Sequence, residues 1–161
     1  MKLINTLLTI LLITLLSSPS WSTPFDELVK RDSLIYPKFS DVPFTGEVTG
    51  KAQGNLKNGK SEGDWLGYHD NGNLHFKGKY KDGNKEGLWV SYHDNGQLTG
   101  KGNYKNDKKD GDWVLYYNNG LLQSKGNYKN GKIEGIYFSY DELGREFKDN
   151  YKDGVHVLTI R

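Results

Sequence analysis

The chain has 161 residues, a length that suits one domain. Twenty-two Lys and Arg stand against twenty Asp and Glu, a formal net charge of +2, and a balance this close gives no sign of a nucleic-acid partner. There is no Cys, which removes thiol nucleophiles, thiolate metal sites and a disulfide framework. Hydrophobic residues reach only 35%, but 11 Tyr and 4 Trp are among them. Aromatic rings bury a large area each, so the composition predicts a folded chain with a thin, aromatic-rich core.

In chain order the first element is a leader. Lys2 precedes a mostly aliphatic run from Leu3 to Leu16, interrupted by Asn5, Thr6, Thr9 and Thr14, and then Ser17-Ser18-Pro19-Ser20-Trp21-Ser22. A charged start, a short apolar run and small residues at Ser20 and Ser22 predict a cleaved signal peptide over residues 1–22. The run is shorter than the ~20 residues of a spanning helix, and with no Cys at the cleavage site a lipid-anchored lipoprotein is excluded. The mature chain would start near Thr23 and be periplasmic or secreted. Residues 23–45 form a lead-in: Leu28 to Tyr36 predicts a hairpin around Asp32-Ser33, the preferred reading, or a short helix started by Thr23-Pro24.

Residues 46–154 are repetitive. Trp65-Leu66-Gly67-Tyr68-His69-Asp70-Asn71-Gly72 returns as Trp89 to Gly96 and again as Trp113 to Gly120. The full pattern is G-x-W-x-x-Y-x-x-N-G-x-L-x-x-K-G-x-Y-x-x-G-x-x-E, with copies at Gly63–Glu86, Gly87–Asp110 and Gly111–Glu134. A fourth copy from Gly135 is worn: Tyr137 replaces Trp, and one residue is lost before Asn150. Half a copy precedes them all, in Gly54, Leu56, Gly59 and Glu62. Asn71-Gly72, Asn95-Gly96 and Asn119-Gly120 are tight-hairpin pairs that accept positive φ at both central positions. Asp82-Gly83, Asn106-Asp107 and Asn130-Gly131 mark a second turn in each copy. Each copy is therefore a hairpin of two short strands, and the stack is an all-β, elongated antiparallel β-meander or solenoid of 24-residue units. Val155 to Arg161 alternates and predicts a last strand.

A two-residue loop at Asn71-Gly72 sets a register. Asp70 faces Asn73, His69 faces Leu74, Gly67 faces Phe76 and Trp65 faces Gly78; likewise Trp89 faces Gly102 and Trp113 faces Gly126. An indole over a glycine is a sensible pair. Trp65, His69, Leu74 and Tyr80 then share one face, and Leu66, Tyr68, His75 and Lys77 the other. The structural positions of the repeat are Trp65, Trp89 and Trp113; Gly72, Gly96 and Gly120; Gly78, Gly102 and Gly126; and Tyr80, Tyr104 and Tyr128.

With these residues laid out, the chain resembles the MORN repeat, and within it the bacterial MORN-variant group called the YwqK-family antitoxins. Leu28 to Tyr36 and Asp41-Val42-Pro43-Phe44-Thr45-Gly46 resemble the lead-in of exported members. The resemblance covers roughly residues 28–154. It implies stacked β-hairpins in a single elongated sheet, and for function a toxin-neutralising or immunity role, or phospholipid binding. The missing Trp and the deletion before Asn150 depart from the pattern and suit a capping repeat.

The search for chemistry returns architecture. His69 and His93 are equivalent positions two strands apart, roughly 10 Å, too far to share one metal ion, and the third copy has Tyr117 there. The Asp, Asn and Gly turns lack the spacing of calcium loops, and turn geometry alone explains them. No G-x-S-x-G elbow and no Ser-His-Asp arrangement is present. Glu62, Glu86, Asp110 and Glu134 recur every 24 residues, and a feature copied four times is scaffold. The expectation is a non-enzymatic protein without metal or cofactor, whose extended surface meets another protein or a surface polymer. Rows of lysine (Lys77, Lys79, Lys101, Lys125 and others) suit an anionic lipid or polymer, though they also keep a long sheet soluble. The candidate contact residues are His69, His93 and Tyr117 with Tyr68, Tyr92 and Tyr116. Variation at Gly67, Ser91 and Leu115 and at Phe76, Gly100 and Ser124 is expected to carry specificity.

Overall fold

The computed structural model describes residues 22–157. The expected leader, up to residue 21, and residues 158–161 of the expected last strand lie outside the described residues. The strands are β1 (Ser22–Pro24), β2 (Leu28–Arg31), β3 (Leu34–Pro37), β4 (Gly46–Thr49), β5 (Ala52–Lys57), β6 (Lys60–Tyr68), β7 (Leu74–Lys81), β8 (Asn84–Tyr92), β9 (Leu98–Lys105), β10 (Lys108–Tyr116), β11 (Leu122–Lys129), β12 (Lys132–Tyr140), β13 (Glu146–Lys152) and β14 (Val155–His156). From β4 to β14 each strand pairs antiparallel with the next. With β1 parallel to β4 they make one open sheet of 12 strands. β2 and β3 form a separate hairpin.

The two turns of each copy differ, and the turn chemistry is the reverse of the sequence expectation. The second turns are the two-residue hairpins: Asp82 and Gly83 have φ of 50° and 85°, and Asn106 and Asp107 have 49° and 62°. Positive φ at both positions matches the right-handed strand twist; Asp and Asn tolerate it. Asp32 and Ser33 do the same between β2 and β3, as expected, and a single 3-10 turn at Phe25–Glu27 follows Pro24.

At Asn71-Gly72 only the glycine has positive φ. The loop has three residues, Asp70 to Gly72, closed by Gly72 N–H to His69 O at 2.9 Å and His69 N–H to Asn73 O at 2.8 Å. Asn71 gains two side-chain bonds in this conformation: its Oδ1 accepts from Asn73 N–H at 3.0 Å, and its Nδ2 donates to Asp94 O at 2.7 Å. The extra loop residue is absorbed by a bulge. Trp65 still faces Gly78 and Gly67 still faces Phe76, but Tyr68, not His69, faces Leu74. The next two hairpins repeat this.

Trp65, Trp89 and Trp113 are buried on one face of the sheet. Against the preceding strand the register slips by two residues at Gly63, Gly87 and Gly111. The indole lies there over a glycine of that strand, Gly54, Gly78 and Gly102 in turn, each with no room for a Cβ. The expected indole-over-glycine contact exists, one copy earlier than expected: Gly78 pairs with Trp65 in the backbone ladder but is covered by Trp89. Each indole N–H donates to a carbonyl beside that glycine, Asn55, Lys79 and Asn103, at 2.9–3.2 Å. Tyr80 and Tyr104 fill the gaps edge-on between successive tryptophans. Lys85 and Lys109 lie over Trp89 and Trp113 at 4.4 and 4.3 Å.

The lead-in hairpin closes the first end of this face. Leu28, Ile35 and Phe44 pack on Val48, Leu56 and Trp65, and Ile35 N–H donates to Gly59 O at 2.9 Å. At the far end the described part of the strand expected from Val155 onward forms β14, paired with β13.

Candidate functional site

The turn positions singled out in the sequence are stitches between copies. His69 Nε2 lies 2.8 Å from Tyr92 O and His93 Nε2 lies 3.0 Å from Tyr116 O, and the Tyr117 hydroxyl donates to Tyr140 O at 2.7 Å. His and Tyr interchange because either can donate to the same carbonyl. His75, the bulged residue, stacks on His69 with ring centroids 4.3 Å apart. Burial first, and the neighbouring His69 second, hold its pKa below the usual histidine value. On the opposite edge Glu62, Glu86 and Glu134 accept the amide N–H of Asp82, Asn106 and Asp153 at 2.9–3.1 Å. The recurring carboxylates thus hold the next two-residue turn in place. Among the described residues no three His, Cys, Asp or Glu converge as a metal cluster would require.

The variable positions also line up. In register order Ala52, Gly67, Phe76, Ser91, Gly100, Leu115, Ser124 and Ser139 make one row across the tryptophan face. Phe76 covers Gly67 and Leu115 covers Gly100. Large and small side chains compensate, so variation here has a packing reason.

The other face carries lysines that the sequence had singled out, in an alternation with apolar residues that single copies do not display. Leu66, Lys77, Val90, Lys101, Val114, Lys125, Phe138 and Lys148 are successive cross-strand partners from β6 to β13. Each lysine is exposed, and among the described residues none of the four pairs with a carboxylate. Lys125 and Lys148 flank the Phe138 ring at 4.8 and 5.8 Å. Nearby acids are engaged: Asp64 with Lys79 at 3.7 Å, Asp112 with Asn127 at 2.8 Å and Glu146 with the Tyr140 hydroxyl at 2.7 Å. Strand alternation puts Tyr68, Tyr92 and Tyr116 on this same face, half-buried, beside the lysines. Leu88 and Ile136 stand out from it, 58% and 41% exposed, around shallow depressions that include Lys101 and Lys125. The signal was present: Lys precedes the covered glycine, and an apolar residue follows each Trp, every 24 residues.

This geometry offers binding area on the two faces of an open sheet. No curated protein matches the chain. Residues 61–82, 85–106 and 109–130 match the family model for the MORN repeat variant, and the three matches fall on the consecutive hairpins β6–β7, β8–β9 and β10–β11.

Proposed function

We propose that this chain is an exported, non-enzymatic docking scaffold, and that its docking surface is the face away from the tryptophans. One observation carries this reading: the unpartnered row of alternating lysine and apolar side chains from Leu66 to Lys148, with Tyr68, Tyr92 and Tyr116 alongside. The tryptophan face spends its aromatic groups on its own packing. The lysine face leaves four ammonium groups without a carboxylate partner among the described residues, and the large aliphatic side chains of Leu88 and Ile136 in water, all open to a partner. His69, His93 and Tyr117 border this face through their turns.

A photo-crosslinker at Leu88, on the lysine face, compared with one at Lys85, on the tryptophan face, tests the assignment. Capture from envelope fractions at Leu88 alone supports it; capture at Lys85 alone removes it. Export is checked by sequencing the N-terminus of the mature protein, expected near Thr23. A toxin-neutralising role, as in the YwqK-family group, would use the same face, and a secreted toxin encoded next to this chain would favour it.

A further inference from the structure

Building on that docking face, we infer that its partner is a linear carboxylated polysaccharide lying across the strands along Lys77, Lys101, Lys125 and Lys148. Three features select this chemistry. The first is period. Successive lysines are two strands apart, about 10 Å, which is the advance of one disaccharide in an extended glycan. A globular partner without internal repeats offers no such period.

The second feature is alternation. Between the lysines lie Leu66, Val90, Val114 and Phe138. An acidic glycan alternates in the same way: carboxylates at fixed intervals, with C–H faces of pyranose rings between them. Tyr68, Tyr92 and Tyr116 supply hydroxyl groups and ring edges along the same track. With no carboxylate paired to the four lysines, the charge is free to meet the polymer's own.

The third feature is shape. Strands in a sheet rotate by roughly 20° from one to the next, and Lys77 to Lys148 spans β7 to β13. A planar bilayer can meet only part of such a track at once. A flexible chain can follow all of it, and each added lysine contact then acts as a tethered, intramolecular step.

The test is calorimetric titration of the purified chain with oligosaccharides of alternating glucuronate and N-acetylglucosamine, from tetrasaccharide to octasaccharide, beside neutral cello-oligosaccharides and phosphatidylglycerol vesicles. The expected result is at least tenfold tighter binding of the octamer than of the tetramer, weakening with salt, and no binding of the neutral series. Lys101→Gln with Lys125→Gln should weaken the octamer at least tenfold with unchanged circular dichroism, while Lys105→Gln at the turn edge should leave it as it was. Affinity independent of length, indifference to Lys101→Gln with Lys125→Gln, or binding to vesicles alone would each overturn the assignment. If no oligosaccharide binds while the Leu88 crosslinker still captures a partner, the docking face stands and the glycan assignment falls.

Discussion

His93 reaches across to the next repeat and bonds the carbonyl oxygen of Tyr116 through Nε2, at 3.0 Å. The same bond is made by His69 one copy earlier and by the Tyr117 hydroxyl one copy later. A backbone carbonyl at the rim of each hairpin is thus satisfied by the copy before it, and the turns form a hydrogen-bonded column. Such stitches make neighbouring repeats cooperative, since a frayed copy exposes a carbonyl in the next.

Removing one stitch should be measurable. His93→Ala is expected to cost about 1 kcal/mol, the usual net value of one hydrogen bond. His93→Tyr, which imports the third copy's solution, should stay within about 0.5 kcal/mol of the parent. Urea unfolding midpoints would check both; equal losses would show that a tyrosine at this position does not restore the bond to the Tyr116 carbonyl.

Gly102 and Gly96 separate two reasons for glycine. Gly102 lies under the Trp113 indole with no space for a methyl group, and Trp113 Nε1 donates to the adjacent Asn103 carbonyl. Gly102→Ala should therefore cost at least ~2 kcal/mol through overpacking. Gly96 faces open space, with φ of 84°, so Gly96→Ala should cost only about 1 kcal/mol of backbone strain. In a Trp113→Leu background the penalty at Gly102 should shrink and that at Gly96 should not.

Much of this was legible in the sequence. Aromatic strands and paired turn residues are local signals, and they placed the hairpins, the Trp65–Gly78 register and the Asp32-Ser33 turn. What escaped depends on the copy next door. Asn71-Gly72 has the dipeptide of a two-residue hairpin, yet Asn71 gains more from its bonds to Asn73 and to Asp94 of the following copy. The indole of Trp89 covers Gly78 because the register slips at Gly87, which no single-copy pattern displays. The lysines of the proposed docking face were legible, but their alternation with Leu66, Val90 and Val114 emerges only once the copies are stacked. β1, parallel to β4, carried no repeat signal at all.

The stacked phenols give the fold an alkaline limit. Burial is the first cause that holds Tyr80, Tyr104 and Tyr128 above the ordinary phenol value, and Tyr128 is pushed up to about 12. Unfolded tyrosine loses its proton near pH ~10, so above that the folded state binds more protons and stability falls as pH rises. The contribution is complete below about pH 10 and lost as pH climbs towards about 12. Lys109 works in the opposite sense, because burial lowers its pKa and its deprotonation relieves a penalty; three phenols outweigh it. Denaturation midpoints should hold level to about pH 10 and then drop, with phenolate absorbance appearing late. Tyr128→Phe should remove part of the drop.

The variable row on the tryptophan face makes a prediction about compensation. Phe76 fills the space over Gly67, stacks on Trp89 with ring centroids 5.4 Å apart, and faces Ser91 across the ladder. Phe76→Ala should open a cavity and cost about 3 kcal/mol. Ser91→Leu alone should also destabilise, because a longer side chain there meets the Phe76 ring. Together the two substitutions should cost clearly less than their sum, since the new leucine enters the vacated space much as Leu115 covers Gly100. A double-mutant cycle from unfolding midpoints would measure the coupling. If the two effects simply add, the row is a set of independent positions, and its variation is free to answer to a partner instead of to packing.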